Sequence, residues 1–117
     1  MEARHTEISE ARHIAVADLF KQLKEDFPKE LGAFLTLSQS LEREGVISRK
    51  IKDLILVALA VSTRCDKCIA VHIRNAVTNG ASKQEILEAA MLTVVFGGGA
   101  SLMDMDIVYQ ELYNHFD

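Results

Sequence analysis

The stretch "IKDLILVALAVS" (Ile51–Ser62) decides the fold class of this chain. Residues 54–61 are apolar without a break, a pattern that suits either a buried strand or a buried helix. Ala58, Leu59 and Ala60 are good helix formers, and the segment exceeds ordinary strand length. Ser48 stands where a helix N-cap is expected. The reading is a helix, apolar nearly all round and buried on most sides.

Working outward, every neighbouring segment also reads as helix. Upstream, residues 3–25 form an amphipathic pattern in which Ile8, Ile14, Ala15, Leu19, Phe20 and Leu23 recur at helical spacing. Pro28 fits the first turn of a second helix, with Leu31, Phe34, Leu35, Ser38 and Leu41 inside and Gly45 as its stop. Downstream, a break at Ser62–Arg64 precedes a fourth helix from about Cys65 to Asn79, with Gly80 as its C′ residue. Ser82 and Glu85 have capping-box spacing and open a fifth helix toward Phe96. Gly97–Gly99 interrupt as a helix–helix corner, since they follow a helix and match neither phosphate-binding glycine motif. Leu102 to Phe116 give the last helix. The expected fold is all-α, a single domain over residues 1–117, built as a compact bundle of five to six helices.

Bulk properties exclude several functions. Net charge is −4, and the basic residues of Arg43–Lys52 are interleaved with acids, so no basic stripe for nucleic acid exists. The eight-residue apolar run falls far short of the roughly 20 residues that span a bilayer, so no membrane role is expected. The charged start "MEARHTEISEARH" does not read as a signal peptide. A cytoplasmic protein is the expectation, and there a C-x-x-C pair is more often catalytic or metal-binding than structural.

Both cysteines lie in "TRCDKCIAVH" (Thr63–His72). On a helix, Cys65, Cys68 and His72 share a stripe about 60° wide. Cys65 sits at the helix start, where unpaired N–H groups favour a thiolate, and His72 lies one turn beyond Cys68 as a proton acceptor. Two thiols three residues apart can close a disulfide, as a two-cysteine redox cycle requires. A zinc site would need a fourth ligand, and no second C-x-x-C or H-x-x-x-H is present. Packing thiols remain the bland alternative. His5, His13 and His115 stand isolated near the ends and read as surface residues. Redox use is the favoured reading, with no metal and no cofactor assigned.

The segment "KDLILVALAVSTRCDKCIAVHIRNAVTNGASKQEILEAAMLTVVFGGGASLMD" resembles the core of the carboxymuconolactone decarboxylase family, in its alkylhydroperoxidase D-like branch. The signature is an acid, eleven residues, C-x-x-C-x-x-x-H, a "GAS" helix start with Glu85-Ile86, and a Gly-rich corner, over about residues 48–105. The family's acid is usually glutamate, and here it is Asp53, one methylene shorter. Asp53 is then either a relay partner, through a water if need be, or a solvated charge near a helix start. Arg64 stands where relatives often carry a small residue such as glycine, and its cation beside Cys65 would favour the thiolate.

The resemblance implies a peroxidase that reduces a hydroperoxide. Cys68 would attack, Cys65 would condense with the resulting sulfenic acid, and His72 with Asp53 would relay protons. It also implies an external dithiol reductant, lipoyl- or thioredoxin-like, and assembly as a trimer or hexamer. Surplus apolar surface on the third helix and the C-terminal segment points to self-association as well, and Met91, Met103 and Met105 read as core or interface packing. Two other functions stay open. One is a lactone decarboxylase using Arg49, Lys50, Lys52, Arg64 and Arg74 to hold a dicarboxylate. The other is a disulfide oxidoreductase or redox-sensing subunit.

Overall fold

A computed structural model describes residues 2–116. Among them are seven helices and no strand: α1 (Glu2–Asp26), α2 (Pro28–Glu42), α3 (Arg49–Ser62), α4 (Asp66–Thr78), α5 (Lys83–Leu92), α6 (Val94–Met103) and α7 (Met105–His115). The all-α expectation holds, with one helix more than the upper count.

The extra helix comes from two breaks the glycines did not mark. α5 stops at Leu92 rather than near Phe96, and Thr93 turns the chain, its hydroxyl donating to the Ala90 carbonyl. The axes of α5 and α6 are bent by 111°. A second break at Asp104 separates α6 from α7. The triglycine lies inside α6 as a kink, where Gly98 takes φ 55° and ψ −136°. No single helix among the described residues is long and apolar enough to cross a membrane.

α3 and α4 form the centre, with α5 and α7 packed around them. Val57, Val61, Ile69, Ile73, Ile86, Val108 and Leu112 are fully buried or nearly so and make the core. α3 is less enclosed than its sequence suggested. Its buried side is Asp53, Leu54, Val57, Ala60 and Val61, while Ile51, Ile55 and Leu59 form an exposed stripe at i, i+4, i+8. Of the methionines, Met105 is core, whereas Met91 and Met103 are exposed.

α1 and α2 depart further from expectation. Ile14 and Leu19 are exposed, and α2 buries none of its residues, Phe34 and Leu41 included. α1 docks through polar contacts to α7, and α2 lies outside the core altogether. Phe20, Leu23, Phe27, Leu31 and Phe34 instead line an open apolar groove of about 280 Å³ between the two helices. α2 ends at Glu42, three residues before Gly45. The cause is Lys52, whose Nζ donates to the carbonyls of Leu41 and Arg43, both at 2.8 Å. A helix end whose carbonyls are satisfied by a lysine does not require a left-handed glycine cap.

The other caps follow the sequence. Ser48 caps α3, accepting from the Ile51 N–H. Ser82 and Glu85 form a complete capping box on α5, and Lys50 bridges to Glu85 at 3.0 Å. At the end of α4, the Gly80 N–H reaches the Val77 carbonyl and the Ala81 N–H reaches that of Ala76, a Schellman cap. Gly80 has φ 92°, and a Cβ there would meet open space. Gly80→Ala should therefore destabilise the protein by conformational strain alone, about 1–2 kcal/mol. The drop is read as a lower urea midpoint with an unchanged slope.

Candidate active site

The site begins with a second Schellman cap, at the end of α3. The Arg64 N–H donates to the Val61 carbonyl and the Cys65 N–H to that of Ala60, at 3.0 and 3.1 Å. Arg64 occupies the left-handed position, with φ 59°. Glycine takes that conformation without strain, which gives a physical reason for the small residue that the family resemblance implies here. The Arg64 side chain turns to Asp104, with Nε donating at 2.9 Å to Oδ2. Its cation is thus paired with a carboxylate, which weakens the expected role of Arg64 as a free positive charge beside the thiol.

The cap delivers Cys65 to the start of α4, where it is the N-cap residue and its Sγ accepts the Cys68 N–H at 3.2 Å. A sulfur holding this place receives both a hydrogen bond and the positive end of the helix dipole, which together favour the anion. Cys65 and Cys68 are joined as a disulfide, with Cα atoms 5.2 Å apart. Both are half-buried, and Cys68 packs against the core.

His72, one turn along α4 from Cys68, is half-buried. Burial lowers its pKa below the ordinary value of 6.5, and this outweighs the opposing pull of the Glu42 and Asp53 carboxylates. The imidazole is therefore largely neutral near pH 7, as a proton acceptor must be. Its Nδ1 is buried and has no protein partner among the described residues.

Asp53 is fully buried, which removes the reading of it as a solvated charge. Its Oδ2 accepts from Asn79 Nδ2 at 2.8 Å, and its Oδ1 is buried without a protein partner among the described residues. No direct hydrogen bond joins Asp53 to His72 or to a cysteine among those residues. The carboxylate acts on His72 through its field.

Two contributors escaped the sequence reading. Asn79 reads as an ordinary residue before a C′ glycine, and nothing local marks its side chain as the Asp53 anchor. Glu42 lies at the end of α2, held by Ser38 Oγ at 2.7 Å, and its charge acts on His72 across the fold. The arrangement places a disulfide-bonded cysteine pair one helical turn from a half-buried, largely neutral imidazole, with a buried carboxylate on α3.

Comparison with known proteins places this chain. Residues 28–111 match the sequence model of the carboxymuconolactone decarboxylase family. An uncharacterized protein of Cupriavidus necator is 30% identical over 84 residues, 72% of this chain and 74% of that one. An uncharacterized protein from the cox locus of Paracoccus denitrificans is 36% identical over 69 residues, 59% of this chain and 62% of its own. Among solved structures, a family protein of Legionella pneumophila aligns with TM-score 0.81 and 27% identity, covering 91% of this chain and 93% of its own. A Thermotoga maritima structure aligns with TM-score 0.78 and 26% identity, over 87% and 90%. With most of the chain inside the family pattern and its helices following those of a solved member, the protein belongs to the carboxymuconolactone decarboxylase family.

Proposed function

We propose that the protein is a thiol-dependent peroxidase of the alkylhydroperoxidase D-like branch, reducing organic hydroperoxides. The observation that carries this reading is the Cys65–Cys68 disulfide at the N-terminus of α4, one turn from a half-buried, largely neutral His72. In the cycle, His72 takes the proton of the attacking thiol, and the thiolate of Cys68 bonds to the terminal peroxide oxygen. The O–O bond breaks, leaving a sulfenic acid and an alkoxide that is protonated to the alcohol. Cys65 then attacks the sulfenic sulfur, forming the disulfide and releasing water. An external dithiol, lipoyl- or thioredoxin-like, restores both thiols by exchange. Asp53 acts through its field on His72.

Further support comes from a second structure of the same Thermotoga maritima protein, described in connection with an antioxidative response; it aligns with TM-score 0.75 and 26% identity. The decarboxylase reading is weakened because three of its five cations are engaged. Lys50 bonds Glu85, Lys52 bonds two backbone carbonyls, and Arg64 bonds Asp104. The proposal includes self-association as a trimer or hexamer. The exposed stripe on α3 and the exposed Leu92, Val95 and Phe96, the last 98% accessible, support it.

The test is mass spectrometry of the reduced protein after one equivalent of an organic hydroperoxide. Formation of the Cys65–Cys68 disulfide, with a loss of two hydrogens per chain, is the expected result. Thiols untouched by peroxide, in a protein that still reduces insulin disulfides, would replace the proposal with a general disulfide oxidoreductase.

A further inference from the structure

Away from the cysteines, α1 and α7 meet along a seam of polar groups. At its centre is Glu111, whose side chain is fully buried. Ser9 Oγ donates to its Oε1 at 2.6 Å, and Arg12 Nη1 donates to its Oε2 at 3.1 Å. His13 Nε2 lies 3.2 Å from Oε1. His115, at the end of α7, completes a set in which one ligand atom each from His13, Glu111 and His115 lies within 4.8 Å of the others. The rings of His13 and His115 meet edge to face, with centroids 6.3 Å apart. His5 lies in the same seam, stacked on Tyr113 at 4.7 Å. The expectation that these three histidines are separate surface residues is therefore incorrect: the fold brings the two ends of the chain together.

We propose that His13, Glu111 and His115 bind a single divalent transition-metal ion of the zinc type, at the seam between α1 and α7. Two imidazoles and one carboxylate form a donor set that zinc takes with a fourth position left for water. Two ligands bonded to one tetrahedral zinc stand about 3.3 Å apart, close to the 3.2 Å already separating His13 Nε2 from Glu111 Oε1. The ion would take the place of the direct contact between these two atoms. His115 Nε2 and His13 Nδ1 are buried and lack protein partners among the described residues, so the seam holds more donor capacity than the protein itself uses. Arg12 and Ser9 fit as outer partners. Arg12 fixes Oε2 and so turns Oε1 toward the histidines, as second-shell groups do for metal-bound carboxylates. This inference is independent of the peroxidase reading.

Zinc has a rival site in the reduced thiols, so the test uses untagged protein with the Cys65–Cys68 disulfide formed. Calorimetric titration with zinc chloride should show one ion per chain. His115→Gln and His13→Gln should each weaken binding by roughly tenfold or more, with wild-type circular dichroism. Cys65→Ser/Cys68→Ser should bind as the wild type does. Cobalt(II) added to the oxidised wild type should give visible d–d bands of a nitrogen–oxygen site, a readout that needs no variant to fold. No uptake at tens of micromolar zinc, wild-type affinity in either histidine variant, or loss of binding in the double cysteine variant would overturn the proposal.

Discussion

Cys68→Ser should eliminate dithiol-dependent consumption of an organic hydroperoxide, a loss of about 10³-fold or more in kcat/KM. A serine hydroxyl at the same place is almost wholly protonated near pH 7 and is a poor nucleophile toward peroxide oxygen. Removing a group on which the whole cycle depends costs nearly all of the rate. Cys65→Ser should also stop turnover, for a different reason: the first oxidation proceeds, but nothing resolves it. A sulfenic acid trapped by dimedone at Cys68 in that variant would assign the attack. Trapping at Cys65 in Cys68→Ser would instead reverse the two roles, in line with the N-cap position of Cys65. Peroxide turnover unchanged in Cys68→Ser would end the peroxidase reading.

His72→Ala should lower kcat/KM by about 10²-fold or more, the usual worth of a positioned general base. The pH profile separates this role from a merely structural one. Burial lowers the His72 pKa below 6.5, so the wild-type rate should hold down to that pH and fall only below it, as the ring takes up a proton. His72→Ala should lose that acidic limb and retain only the thiol ionisation at higher pH. Stability follows the same sign. A histidine whose folded pKa is depressed binds fewer protons than the unfolded chain, so its contribution is complete above pH 6.5 and is lost as pH falls through the folded value. A variant with an unshifted acidic limb would remove His72 from the chemistry.

Much of the fold is legible locally because caps are local chemistry. Ser48, Gly80 and the Ser82–Glu85 box each do what a few neighbouring residues prescribe. Gly45 misled because its helix end is satisfied by Lys52, a residue from the next helix. The bend at Thr93 carries no glycine or proline to announce it. The site divides in the same way. Cys65, Cys68 and His72 lie on one helix and are visible from spacing alone, whereas the anchor of Asp53 and the field of Glu42 require α3, α4 and α2 to be packed together. The α1–α7 seam is the extreme case, joining side chains 98 or more positions apart.

Cys65 closes the cap of one helix through its backbone and opens the next through its sulfur. The corner between α3 and α4 therefore has no slack. One residue more or fewer between Ala60 and Cys68 would turn the face of α4 by about 100° relative to α3, carrying the thiol and imidazole away from Asp53 while leaving every side chain chemically intact. The length of this corner constrains the chain more tightly than its composition does. An arginine can occupy a position that suits glycine, but a spacer of another length cannot keep the two helices in phase.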